Sequence, residues 1–185
     1  MTLANYPDWL LWSSALDDET CDRLIEICKK RPVQEASTFA GDSDHRKTDI
    51  RWIPNEDEWQ EVHNIMSSYA LQANQTFGVS LTHLPPIQFT EYADVGHHYD
   101  YHHDIDWGRQ DGSHRKISIV VQLTDPEDYE GGDFSFKHLQ NPNEDEMKAR
   151  GSILCFIPYH YHAVSPITSG SRISLVGWFE GPRWR

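Results

Sequence analysis

Cysteine is scarce in this chain: three in 185 residues, an odd number. That count does not make a disulfide framework. Cys21 and Cys28 are seven apart, on one face of a predicted helix, and Cys155 sits in an apolar run. All three read as buried free thiols of a reducing compartment. Long hydrophobic runs are missing as well. No stretch approaches the roughly 20 apolar residues that span a bilayer. The N-terminus lacks a basic segment followed by an apolar one, so no signal peptide is visible. The expectation is a soluble, cytoplasmic protein that does not engage a membrane. Positive charge is also in deficit. Sixteen Lys and Arg against 29 Asp and Glu leave a net charge of -13. Binding of nucleic acid through overall charge is not expected, and a neutral or cationic partner fits better. Internal repeats and low-complexity segments are absent too.

What remains is most simply one domain with one core over residues 1–185. Residues 1–15 carry Tyr6, Trp9, Leu10, Leu11 and Trp12 and read as a strand or arm laid on the core. Asp17-Asp18-Glu19 supplies a helix N-cap and an acidic first turn. Leu16, Cys21, Leu24, Ile25 and Cys28 follow at helical spacing, and Pro32 stops the helix. Residues 33–47 are polar and turn-rich and read as a mobile loop. Thr48 to Ile53 is a predicted strand. Asn55-x-x-Glu58 has the form of a capping box. It opens a long helix whose apolar face holds Trp59, Val62, Met66, Ala70 and Phe77, closed by Gly78. From Val79 onward the period changes to two. Ile87–Ala93, Arg115–Thr124, Asp133–Lys137, Gly151–Ile157 and Arg172–Glu180 read as strands, separated by turns such as Asp125-Pro126 and Gly131-Gly132. Helices first and strands afterwards predict an α+β, mainly β fold. Helical support lies at about 1–78, packed outside an antiparallel sandwich or barrel at about 79–182.

The chemistry concentrates in Tyr92–Asp104, Y-A-D-V-G-H-H-Y-D-Y-H-H-D. On a strand, His102 and Asp104 project to one face and His103 to the other. One imidazole and one carboxylate are two-thirds of the facial triad that holds non-haem Fe(II). Among 11 His, an H-x-D triplet alone is a weak signal. Its meaning comes from the order that follows: a strand, a Gly-Gly turn, another strand, His162, and Arg172 ten residues on. His160 and His162 are two apart and both could face a metal. The A-V-S-P that follows His162, with the step to Arg172, favours His162. His97, His98 and His103 form an alternative cluster of zinc-binding type. Arg172 lies among Ile173, Leu175 and Val176, where an unpaired charge is costly. Its planar fork suits a carboxylate.

These residues resemble the 2-oxoglutarate/Fe(II)-dependent oxygenases, and within them the prolyl 4-hydroxylase-like branch with its PKHD-type bacterial and phage members. The resemblance covers roughly residues 46 to 182. It is carried by Y-x-x-x-G-x-x-Y-x-x-H-x-D, R-K-I-S-I-V-V-Q-L, Y-E-G-G-D-F and H-A-V-S-P-I-T-S-G-S-R-I-S-L-V-G-W. It implies a double-stranded β-helix (jelly-roll, cupin-like) core with iron between its two sheets. His102, Asp104 and His162 would be the catalytic metal ligands. Arg172 would bind the far carboxylate of 2-oxoglutarate, where many prolyl hydroxylases use Lys. Tyr92 would hydrogen-bond the cosubstrate, and Gln122 stands where an inward-facing Tyr is common. On the substrate side, Tyr99 matches a Tyr lining the prolyl pocket, Arg115 an Arg near the peptide, and Trp178 a Trp that packs on substrate. Core packing is the other reading of Tyr99 and Trp178.

The implied reaction hydroxylates a peptidyl proline, consuming O2 and 2-oxoglutarate and releasing succinate and CO2, with ascorbate as a companion reductant. Halogenating relatives lack the carboxylate at position 104, so Asp104 favours hydroxylation. Nucleic-acid demethylases of the superfamily usually carry a second Arg six residues after the first, where this chain has Trp178. A free amino acid or other small molecule is the alternative substrate. A catalytically silent binding module is the alternative class. The loop 105–114, with Trp107, is expected at the mouth of the site as a lid.

Overall fold

The computed structural model describes residues 7–35 and 45–184. The expected mobile loop at 33–47 therefore falls largely outside the described residues, as do positions 1–6 of the N-terminal arm. The elements run β1 (Trp9–Trp12), α1 (Asp18–Lys29), β2 (Gln34–Glu35), β3 (Arg46–Lys47), β4 (Asp49–Ile53), α2 (Gln60–Phe77), β5 (Ile87–Tyr92), β6 (His98–His102) and β7 (Ser113–Gln122). They continue β8 (Tyr129–Gly131), β9 (Phe134–Phe136), α3 (Glu144–Lys148), β10 (Ile153–Phe156), β11 (His162–Val164), β12 (Ile167–Gly170) and β13 (Arg172–Pro182).

Helix α1 starts as its sequence dictates. The Asp17 carboxylate accepts the Thr20 N–H at 2.8 Å, and Asp18 and Glu19 occupy the first turn. Helix α2 starts differently. The capping box at Asn55-x-x-Glu58 does not form; a 3-10 turn, Asp57–Trp59, leads into the helix without a side-chain cap. Burial of Trp59 fixes the entry instead, its Nε1 donating to the Ile27 carbonyl of α1 at 3.2 Å. Gly78, at φ 63°, closes α2 in the left-handed region.

The strands make a seven-stranded sheet, β1-β10-β7-β13-β5-β4-β2, a four-stranded sheet, β3-β6-β11-β9, and a β12-β8 pair. Every pairing is antiparallel. The result is a mixed α+β, strand-rich fold in which the N-terminal half gives strands to both large sheets. Period-two alternation divides the seven-stranded sheet into two faces. Phe89, Ile117, Ile119, Val121 and Leu175 pack under α1 and α2, against Leu24 and Met66. Each such fully buried side chain contributes on the order of 1.5–3 kcal/mol. The backbones come close here: a Cβ on Gly177 would sit 2.8 Å from the Met66 Cε. The opposite face carries Gln88, Thr90 and Tyr92 on β5, Ser118 and Val120 on β7, and Arg172, Ser174 and Trp178 on β13. The register sets Arg172 beside Tyr92 and Trp178 beside Ser118. Among the described residues no helix is long and apolar enough to cross a membrane.

Candidate metal centre and its cavity

His102 ends β6, His162 begins β11, and the two are direct cross-strand partners. Each ring is held by its own backbone. The Nδ1 of His102 lies 2.8 Å from the Asp100 carbonyl, and that of His162 lies 2.9 Å from the His160 carbonyl. An Nδ1–H that donates to a carbonyl leaves the Nε2 lone pair free to ligate. Asp104 follows β6, its N–H bonded to the Pro158 carbonyl at 2.9 Å. Its Oδ1 is 3.6 Å from His102 Nε2 and its Oδ2 3.6 Å from His162 Nε2. The three ligand atoms lie within 4.8 Å of one another, the one group of this kind among the described residues. They are too far apart to satisfy each other by hydrogen bonds and near enough to share one ion through bonds of about 2 Å.

The charge states suit a divalent cation. Burial pushes the His162 imidazole down to about 4, so the ring is neutral near pH 7. Burial alone would raise the Asp104 carboxyl, but His162, His102 and Arg115 outweigh it and hold the group well below the usual carboxylate range. Ser118 Oγ donates to Asp104 Oδ2 at 2.6 Å, orienting the carboxylate from β7 in the large sheet. Two imidazoles and one carboxylate are the donor set of a non-haem Fe(II) site with open positions.

The cavity in front of these ligands is floored by the polar face of the large sheet, including Gln88, Thr90, Tyr92, Arg172 and Ser174. Arg172 is 3% exposed, its guanidinium 5.4 Å from the Tyr92 ring centroid, and among the described residues no carboxylate pairs with it. Gly132 makes room for it: a Cβ there would come within 3.1 Å of the Arg172 Cδ. Tyr99 lines the cavity, and burial raises its phenol to about 12, so it stays protonated. Trp178 forms another wall. Arg115 lies behind that wall, its guanidinium 3.8 Å from the Trp178 ring centroid and its Nη1 donating to the Asp104 carbonyl at 3.2 Å.

Other residues singled out from the sequence lie elsewhere. Gln122 does not line the cavity; its amide donates to the Thr124 carbonyl at 3.1 Å and the Tyr129 hydroxyl at 3.2 Å. His160 sits outside the ligand group, 3.5 Å from Asp8. Among the described residues His97, His98 and His103 make no metal-ligating group. The loop after Asp104 is pinned by buried Ile105 and by Arg109, whose Nη1 meets Glu180 at 2.5 Å. Trp107 turns toward His103 and His114, away from the cavity lining. Sequence reasoning missed Ser118, Gln88, Thr90 and Ser174, whose signal was a polar residue at alternate positions of an apolar strand. It also missed Arg46, which stacks 4.6 Å over Tyr99 and donates to Gln88 Oε1 at 2.6 Å.

Comparison with known proteins gives a consistent picture. The sequence model of the 2OG-Fe(II) oxygenase superfamily matches residues 87–180. A PKHD-type hydroxylase of Synechococcus sp. is 36% identical over 88 residues, which are 48% of this chain and 38% of the relative, so the chain spans well under half of that protein's length. The crystal structure of a Pseudomonas putida prolyl-4-hydroxylase superimposes with a TM-score of 0.73 at 22% identity, covering 96% of this chain and 94% of that one. A prolyl hydroxylase from Trichoplax adhaerens, in complex with a hypoxia inducible factor oxygen degradation domain peptide fragment, gives 0.74 at 13% identity, covering 95% and 84%.

Proposed function

Because the chain belongs to the 2OG-Fe(II) oxygenase superfamily, we propose that it is an Fe(II)- and 2-oxoglutarate-dependent dioxygenase that hydroxylates a prolyl residue of a peptide or protein. One observation carries this reading: the group His102, Asp104 and His162 faces a cavity that also holds Arg172, a buried guanidinium without a carboxylate partner among the described residues. Bound ferrous iron supplies the redox chemistry, in which O2 and 2-oxoglutarate are consumed, succinate and CO2 are released and one C–H bond is hydroxylated.

The chain's own residues have separate tasks. His102, Asp104 and His162 hold the ion, and Ser118 keeps the carboxylate aimed. Arg172 forks the far carboxylate of 2-oxoglutarate, where a bidentate pair supplies both charge and orientation. Tyr92, packed against Arg172, donates to the same cosubstrate. Tyr99 and Trp178 wall the substrate side, and Arg115 backs Trp178. The peptide carried by the Trichoplax enzyme supports a peptide substrate. Two sheets with the likeness to the Pseudomonas structure support a double-stranded β-helix core within a single dioxygenase domain. Three buried free thiols are consistent with a reducing, cytoplasmic setting.

Succinate release with Fe(II) and 2-oxoglutarate, with and without proline-rich peptide, tests the reading. Peptide-dependent release, with one oxygen added to the peptide by mass, is the expected result. Release stimulated only by free amino acids would move the activity to small molecules. No release under any condition would leave a silent binding module.

A further inference from the structure

Arg46 is a second guanidinium in the lining of the metal cavity. It lies on β3, outside the residues that the family model matches, and it is 8% exposed. The chain changes sheets just after it. Strand β3 ends at Lys47 on the edge of the small sheet, and β4 begins at Asp49 in the large one. The Arg46 side chain bonds on both sides of that crossing. Its Nε donates to Thr48 Oγ1 at 3.0 Å, and its Nη2 donates at 2.6 Å to Oε1 of Gln88, on β5 of the large sheet. Thr90 Oγ1 donates to the same oxygen at 3.2 Å.

The flat face of the guanidinium meets Tyr99. The two residues are cross-strand partners, so their side chains leave the small sheet on one face. The guanidinium carbon is 4.6 Å from the Tyr99 ring centroid. His102 stacks on the same ring at 3.5 Å. An imidazole that close fills one face of the phenol ring, which leaves the other face to the guanidinium. Tyr99 is thus held between a cation and a metal ligand. A ring gripped on both faces does not tilt off His102 without breaking its contact with Arg46. The imidazole inherits that restraint, beyond the hold of the Asp100 carbonyl on its Nδ1.

Stability alone is a poor reason for this arrangement. A buried charge costs desolvation, and apolar replacements of buried ionic groups are often neutral or stabilising. What the guanidinium adds is geometry: a planar fork that bonds at its edge and stacks on its face at once.

We infer that Arg46 is a positioning residue of the metal centre: it clamps Tyr99 on His102, and through that stack it aims the His102 imidazole at the ion. The inference rests on the metal-binding part of the reading above and is independent of the substrate.

The test is titration of Co(II) into the full chain, followed by visible absorption. Arg46→Lys keeps the charge and loses the fork. A purely electrostatic role of Arg46 predicts unchanged affinity in this variant. Clamping predicts a fall of about fivefold, the scale of one cation–π contact. Thr48→Val removes the anchor of Arg46 Nε, leaves the charge in place, and should lower affinity by about twofold, part of the worth of one hydrogen bond. It keeps the test decisive should Arg46→Lys not fold. In a Tyr99→Ala background neither change should have a further effect, because the intermediary is gone. Parent-like affinity in both variants, whether or not thermal melting falls, would reduce Arg46 to a structural role and overturn the inference. Losses that persist at full size in the Tyr99→Ala background would overturn it too, since Arg46 would then act by another route. His162→Ala separates these outcomes from failure of the metal centre itself. If the intact chain binds Co(II) no better than His162→Ala, the reading of the site falls, and this inference with it. Co(II) binding that depends on His162 and not on Arg46 sinks the clamp alone.

Discussion

Tyr99 lies flat on His102, ring centroids 3.5 Å apart and planes inclined by 14°. Residues three apart on a regular strand face opposite ways. Here the register slips: His162 pairs with His102 and Val164 with Tyr99, so two steps on β11 match three on β6. This bulge turns both rings into the cavity. Tyr99→Phe should leave metal affinity within about twofold, since stacking survives, whereas Tyr99→Ala frees the imidazole and should lower Co(II) or Fe(II) affinity by about tenfold. Metal titration of the two variants checks this.

His162→Ala should reduce metal affinity by more than the roughly 10–100-fold typical of losing an outer hydrogen-bond partner, and succinate release should vanish with it. His160→Ala should retain both, because that ring sits beside Asp8 outside the ligand group. The opposite pattern would exchange their roles.

Ser118→Ala removes the 2.6 Å hydrogen bond to Asp104. Metal affinity should fall about 10-fold or more, while far-UV circular dichroism stays unchanged. Titrating metal into the variant against the parent gives the comparison.

Arg172→Ala should raise the KM for 2-oxoglutarate by about 10–100-fold, the size of lost hydrogen bonds to a charged group, and leave the iron requirement nearly constant. A steady-state series in each cofactor separates the two. Arg172→Lys should recover part of the loss, keeping charge without the planar fork.

His63 is buried on α2, its Nε2 3.1 Å from the Ile53 carbonyl. Burial lowers its folded-state pKa from the ordinary 6.5. The unfolded chain then binds this proton more readily, so the associated stability is complete above about pH 6.5 and declines as pH falls toward the lower folded value. His63→Gln keeps a donor without the titration and should flatten the dependence of Tm on pH below 6.5. An unaltered slope would remove His63 from the acid response.

The long elements were legible because they repeat. Alternation in Arg115–Thr124 and Arg172–Glu180 had several periods in which to show itself, and both became central strands. Strands of two to four residues, such as β3 and β11, carry too few periods to register. The ligand set was legible for a different reason. His102 and Asp104 make an H-x-D triplet, and Gly131-Gly132, His162 and Arg172 follow it in the order of the family motif. The cavity floor was less so. Ser118, Ser174 and Gln88 are inconspicuous singly, and only the lateral register of β5, β7 and β13 assembles them. Gln122 shows the limit of face reasoning: it shares the polar face yet spends its amide on Thr124 and Tyr129.

The two imidazoles belong to the small sheet, while Asp104 is hydrogen-bonded through Ser118 to the large one. An ion gripped by all three therefore works as a rivet across the seam between the layers. Cofactor occupancy and local rigidity become one variable. Amide protons of β6 and β11 should exchange more slowly as iron is loaded, while those of the helix-backed strands hardly respond. A stripped protein would open first along that seam, with the thiols of α1 and β10 still sealed.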